Sequence, residues 1–175
     1  RAAGPWRAAA ALAYVFPRGG GLHVPFTVRR NDLPEHPGQV SLPGGRPGPG
    51  EALEDTAWRE AREEIGLGPA EHRVVGRLAP VSIPITHRRL HVFVAIGPDP
   101  GPLRREAREV ERIVLVRIDD LLRPTCRRRR RVVVEGRPLE VPYFDVAGLF
   151  LWGATAMAMA ELVGRLEAAG GSEGP

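Results

Sequence analysis

The sequence predicts a single α/β domain: a mixed β-sheet with a helix on each face. Three observations lead there. The chain has 175 residues, within the ~100–200 of one domain. Short apolar runs bounded by glycine and proline recur along it and outnumber the helical stretches. Two segments, 51–65 and 151–168, carry helix-length patterns, enough to cover both faces of one sheet. Residues 1–170 are expected to form that domain and 171–175 a frayed tail.

Each element has its own reason. Residues 9–16 and 22–30 read as strands joined by the glycine-rich turn Pro17-Arg18-Gly19-Gly20-Gly21. Residues 31–37 are a polar loop, 39–42 a short extended piece, and 43–50 a Gly/Pro-rich loop. The helix within 51–65 holds no Pro or Gly, is acidic in its first turns, and ends where Gly66 supplies a left-handed cap. Residues 73–81, 90–97 and 110–118 read as strands, the last leading into Asp119-Asp120-Leu121-Leu122. Residues 131–135 and 139–144 flank Gly136-Arg137-Pro138 as a hairpin. Residues 151–168 close the chain as a helix, with Trp152, Met157 and Met159 expected in the core.

Composition excludes several classes. Hydrophobic residues make up 43% and charged residues 26%, which rules out wholesale disorder. All 25 basic residues are arginine, a compositional bias. The net charge of +4 therefore says less about partners than it would in an unbiased chain, though it favours phosphate-bearing ligands. Cys126 stands alone, so no disulfide framework or cysteine zinc site exists, and a cytoplasmic setting is expected. The longest uncharged run, between Asp145 and Glu161, is shorter than the ~18–20 residues that span a bilayer, so no membrane partner is expected.

The segment from Gly45 to Leu67 carries the chemistry. On a helix Glu60, Glu63 and Glu64 fall at i, i+3 and i+4, so three carboxylates share a face. Like charges so packed are destabilising unless neutralised, and clustered hard oxygen ligands suit Mg²⁺ or Mn²⁺. Arg59 lies one turn before Glu63. Unbroken helix would hold Glu51 about 12 Å from Arg59, so a contact between them requires Glu51 to sit in the loop and fold back. The loop glycines let backbone approach a charged ligand closely. On the carboxylate pattern alone, a solvated acidic helix face is the commoner outcome.

The full spacing Gly-x5-Glu-x7-Arg-Glu-Ala-x-Glu-Glu-x-Gly-Leu resembles the Nudix box at every fixed position, with Ala61 smaller than the usual aliphatic residue. That resemblance implies a mixed-sheet α/β/α sandwich that hydrolyses a nucleoside diphosphate linked to another group. It implies Glu60, Glu63 and Glu64 as metal ligands, Glu63 and Glu64 as catalytic, and Glu51, Arg59 and Gly66 as supports. Upstream, Thr27, Arg29, Leu33, His36, Gly38 and Pro43-Gly44-Gly45 resemble the signature of coenzyme A pyrophosphatases. Arg30 stands there for the usual Ser, Leu42 for Phe, and Pro25-Phe26 for two aliphatic residues. Fainter resemblances follow at Pro80-Val81-Ser82-Ile83-Pro84, Glu109-Val110, Pro142-Tyr143-Phe144 and Leu151-Trp152-Gly153-Ala154-Thr155-Ala156. The resemblance implies cleavage of coenzyme A or acyl-coenzyme A to adenosine 3′,5′-bisphosphate and 4′-phosphopantetheine or its acyl form, and it allows a homodimer. The alternatives are ADP-ribose, a dinucleotide or a nucleoside triphosphate as substrate, or a nucleotide-binding module without turnover. All three box carboxylates are present, which argues against the module.

Other residues carry two readings each. Glu109, in the charged segment 104–112, is either a further catalytic carboxylate or a solvated loop residue, with Glu106 and Glu111 as its rivals. Arg29 and Arg30 either clamp phosphate or sit exposed at a strand end. His36 either touches substrate or closes its loop, and Gly44 and Gly45 would bring backbone to the substrate. The five arginines 127–131, if extended, put Arg127, Arg129 and Arg131 on one face, ready for the 3′-phosphate of coenzyme A. A solvated loop is the commoner outcome for such a run. No aromatics interleave with it, so nucleic acid is not expected as a partner.

Overall fold

The computed structural model describes residues 5–34, 36–68, 73–134 and 136–170. The main sheet is mixed. Strand β1 (Arg7–Arg18) turns through Gly19 and Gly20, both at positive φ, into β2 (Gly21–Arg29). The two pair only near their turn, from Phe16↔His23 to Arg18↔Gly21, and then part. β3 (Val40–Ser41) takes over against β2, and β4 (Gly44–Gly45) against β1. Beyond β1 lies β7 (Arg88–Ile96), parallel to it over its length, then β5 (Arg73–Arg77) and β6 (Val81–Ile83) on the far side of β7. β8 (Val110–Arg117) pairs antiparallel with the other edge of β2.

Alternation along β1 explains the layers. Ala10, Leu12, Tyr14 and Phe16 face helix α1 (Leu53–Ile65), where they meet Ala57, Ala61 and Ile65. Ala11 and Ala13 face the opposite core, which holds Met159, Leu162 and Val163 of α3 (Gly153–Gly170). The small Ala57 and Ala61 let α1 lie close to the sheet, and burial of Ile65 contributes about 2–3 kcal/mol. This is the α/β/α sandwich expected. α1 begins at Leu53, leaving Glu51 in the loop. It ends at Gly66 (φ 66°), whose N–H donates to the Arg62 carbonyl while Leu67 N–H donates to that of Ala61.

A second sheet, not foreseen as such, closes the chain. A short helix α2 (Ile118–Leu122) leads to β9 (Arg127–Val134), β10 (Arg137–Val146) and β11 (Leu149–Leu151), ordered β11-β10-β9. The arginine run is therefore strand rather than loop, and the hairpin is longer than the sequence indicates. Three of the five arginines gain a cross-strand or helix partner that sequence spacing does not reveal: Arg127 pairs with Glu167 of α3, Arg128 with Asp145 at 2.9 Å, and Arg129 with Glu140 at 3.7 Å. Leu151, expected to start the last helix, ends β11 instead, because Ala147 and Gly148 at positive φ turn the chain back onto β10. The predicted strand 73–81 is divided into β5 and β6, with Pro80, which lacks an N–H to donate, between them. Met159 is buried as expected, but Met157 is 58% exposed, facing away from the sheet. Cys126 is a buried free thiol whose Sγ donates to the Leu121 carbonyl. The proposed tail 171–175 and the predicted hairpin residue Glu135 lie outside the described residues. No helix among those described is long and apolar enough to cross a membrane.

Candidate active site

The loop-helix segment gathers its charges around one guanidinium. Arg59 Nε donates to Glu51 Oε1 at 2.7 Å and Nη2 to Glu51 Oε2 at 3.1 Å. Nη1 lies 2.9 Å from Glu60 Oε1 and 3.0 Å from Glu63 Oε2, and Nη2 also donates to the Arg46 carbonyl at 3.0 Å. Glu51 folds back from the loop as the spacing required, and Gly48 N–H (2.7 Å) and Thr56 Oγ1 (2.9 Å) donate to it as well. The Arg59 guanidinium and these two donors hold the Glu51 carboxyl down at about 2. Thr56 and the loop amide of Gly48 escaped the sequence reading. The one signal in the sequence is a threonine in the helix's first turns, whose hydroxyl the structure buries fully.

Glu64 points the other way, towards β4. Its Oε2 accepts the Gly44 N–H at 3.2 Å. Burial pushes its carboxyl up to about 8, aided by the charges of Glu60 and Glu109 and opposed by the Gly44 bond and Arg29. Burial also raises Glu60, against the pull of Arg59. Gly44 is sterically required by backbone, and Gly45 gives the Glu60 carboxylate its room. A Cβ on Gly45 would lie 2.3 Å from Glu60 Oε1, and one on Gly44 would lie 2.4 Å from the Ala10 carbonyl.

The remaining candidates border this cluster. Arg29 sits where the β2–β8 register shifts between Val28 and Arg29, and its Nη1 lies 3.5 Å from Glu109 Oε2. Glu109 is half-exposed and raises the carboxyls of both Glu60 and Glu64. Glu106 serves the loop instead: its N–H donates to the Glu64 carbonyl at 2.9 Å, and its carboxylate accepts the Arg108 N–H. Arg104 N–H likewise donates to the Ile65 carbonyl, so this loop closes the end of α1. Glu111 is exposed. Arg30 pairs with Asp32 and donates to the Ala107 carbonyl at 2.8 Å, holding its own loop to the 107–109 turn. His36 is exposed at φ 55°, and its carbonyl accepts the Gln39 N–H at 3.2 Å. It lines two cavities, one shared with Arg112, Phe150 and Trp152 and one with Arg7, His87 and Arg88.

Among the described residues no three His, Cys, Asp or Glu side chains converge as a finished cation cage. Glu60 and Glu63 lean on Arg59, while Glu64 faces Gly44. The donor set nonetheless fits a hard divalent ion. It is all carboxylate oxygen, on one helix, and includes a buried carboxyl that two neighbouring negative charges drive towards the neutral form. Such an ion would compete with Arg59 for Glu60 and Glu63.

A glycine loop and a carboxylate helix on an α/β/α sandwich place the chain in a known fold family. The NUDIX domain profile matches residues 6–135. The chain belongs to the Nudix family. It is 32% identical over 142 residues to "Peroxisomal coenzyme A diphosphatase NUDT7" of Mus musculus, covering 77% of this chain and 57% of that one. It is 38% identical over 100 residues to "Mitochondrial coenzyme A diphosphatase NUDT8" of Homo sapiens, covering 55% of this chain and 42% of that one. The chain thus spans about half the length of these curated relatives. Among solved structures, the Nudix hydrolase RenU from M. Smegmatis superimposes with a TM-score of 0.61 at 19% identity, covering 98% of this chain and 89% of that one. Nudix hydrolases generally need a divalent metal.

Proposed function

We propose that the chain hydrolyses the diphosphate linkage of coenzyme A and its acyl thioesters, with Mg²⁺ or Mn²⁺ held by Glu60, Glu63 and Glu64. The observation that carries the reading is the Gly44 N–H bond to Glu64. It joins the upstream segment, which resembles the coenzyme A pyrophosphatase signature, to the box carboxylates in one site. The similarity to two coenzyme A diphosphatases supports the same substrate.

A divalent cation bound there neutralises charge on the diphosphate and lowers the pKa of a water molecule. The chain's own residues do the rest. Arg59, anchored by Glu51, orients Glu60 and Glu63 from behind. Arg29 offers its guanidinium to a phosphate oxygen at the edge of the carboxylate cluster. Glu109, half-exposed beside it, takes the proton from the attacking water. The water oxygen bonds to one phosphorus as that phosphorus loses the bridging oxygen. The bridging oxygen leaves on the other phosphate, giving adenosine 3′,5′-bisphosphate and (acyl-)4′-phosphopantetheine.

The test is a chromatographic product assay with Mg²⁺ or Mn²⁺ on coenzyme A, ADP-ribose, NADH and a nucleoside triphosphate at equal concentration. Preferential release of adenosine 3′,5′-bisphosphate is expected. Preferential turnover of ADP-ribose or the triphosphate would overturn the substrate, and no turnover of any would overturn the activity.

A further inference from the structure

The cavity of about 410 Å³ between the 36–40 segment and β11 has no role in the reaction just described. Its size lies in the range of small-molecule sites, roughly 300–1,000 Å³. One wall is aromatic. Phe150 and Trp152 stack with ring centroids 6.1 Å apart and planes 24° apart. Phe150 is further held by Tyr143 at 4.6 Å and by the Arg130 guanidinium at 5.2 Å. Trp152 ends this row and lines the cavity, half-buried. The other wall brings polar groups: His36, Gln39 and Arg112. Arg112 is exposed, with no ion pair among the described residues.

The cavity lies on the α3 face of the sheet and α1 on the other, and the cavity reaches the carboxylate site at the strand end where Val28 gives way to Arg29. Arg112 is directly opposite Val28, and the next ladder pair along is Arg29 with Val110. Arg29 is the residue paired to Glu109. Its backbone N–H is fixed by the Gln39 carbonyl at 2.9 Å, so the loop forming the cavity floor is tied to the residue flanking the reaction. Two residues restrict the backbone of that loop. Pro37 fixes one φ, and Gly38 at φ 67° admits no Cβ, which would meet Asn31 Oδ1 at 2.6 Å. The aromatic wall lies beyond the residues matched by the family profile, which end at 135.

An aromatic platform, an amide and an unpaired guanidinium suit a purine bearing a phosphate better than a flexible aliphatic amide arm, which offers neither ring nor charge. We propose that this cavity receives the nucleotide end of the substrate, with the purine stacked on Trp152 and Arg112 paired to the phosphate on its ribose. The assignment rests on the preceding reading only for which nucleotide that is.

The test is a calorimetric titration of the intact chain with adenosine 3′,5′-bisphosphate, AMP and 4′-phosphopantetheine. The bisphosphate is expected to bind, and Trp152→Leu to weaken it about tenfold or more, while Trp152→Phe restores affinity to within about threefold because it keeps a stacking face. Arg112→Gln, at an exposed position that leaves the core untouched, should bring the bisphosphate down to the affinity of AMP. Phosphopantetheine should be indifferent to all three substitutions. Bisphosphate binding that is absent, or unchanged in both Trp152→Leu and Arg112→Gln, would overturn the proposal. Cleavage of coenzyme A by the unsubstituted chain is scored separately. Trp152-dependent bisphosphate binding without cleavage sinks the substrate reading alone, and cleavage without Trp152 dependence sinks the cavity alone.

Discussion

Two arginine-bearing regions of this molecule use the same residue type in opposite ways. In the loop-helix segment a single guanidinium, Arg59, collects Glu51, Glu60, Glu63 and the Arg46 carbonyl. In the C-terminal sheet the successive arginines go to separate partners: Arg127 to Glu167, Arg128 to Asp145, Arg129 to Glu140 and Arg130 to the Phe150 ring. The first concentrates charge at a point beside a buried carboxyl that burial and neighbouring charges raise to about 8. The second spreads charge over an exposed surface, where each pair is worth about 0–1 kcal/mol. Charge density and burial, rather than the number of charges, set the two regions apart.

The largest effect expected comes from the carboxylates. Glu63→Gln and Glu64→Gln should each lower kcat on order 10³-fold or more, with far-ultraviolet circular dichroism unchanged. Wild-type turnover in either would remove that residue from the site. Next, Gly45→Ala puts a methyl where the Glu60 carboxylate lies, and displacement of about 1 Å should cost roughly 10² in kcat. A smaller response is expected from the anchor. The folded Glu51 carboxyl sits at about 2, against an ordinary 4.5. Its stabilisation is therefore fully present above 4.5 and is lost as pH falls through 2. Melting temperatures between pH 6 and 2 should fall more steeply for the parent chain than for Glu51→Gln, and parallel curves would contradict the anchor. The smallest effect belongs to the second region. Arg127→Ala with Arg129→Ala should cost about 0–2 kcal/mol in denaturant unfolding and leave KM for coenzyme A unchanged. A KM that rises for coenzyme A but not for its 3′-dephospho form would return the run to substrate binding.

The same contrast explains what could be read from sequence. β1, β2 and α1 were legible because alternation and an uninterrupted 13-residue helix closed by Gly66 are local signals. The Glu51–Arg59 contact was legible only as a condition, since helix geometry allows it only with Glu51 in the loop, where the structure has it. The small sheet was legible only as the inner part of its hairpin, because the five-arginine start of β9 shows no apolar alternation and its partners lie in β10 and α3. Arginines that lacked interleaved aromatics in sequence acquire them in space, with Tyr143 opposite Arg128 and Phe150 beneath Arg130. The cavity joining His36, Arg112 and Trp152 depends on segments about a hundred residues apart, and its pairing through β2 and β8 belongs to the fold alone.

A divalent ion is expected to bind the α1 carboxylates and nowhere on the arginine sheet. The most direct measurement is a Mn²⁺ titration, followed by electron paramagnetic resonance of the free ion. It would compare the parent chain, Glu63→Gln, Glu64→Gln and the Arg127→Ala/Arg129→Ala double variant. Binding should be equal in the parent and the double variant and weakened at least about tenfold in each carboxylate variant. Equal binding by all four, or none by the parent, would contradict it.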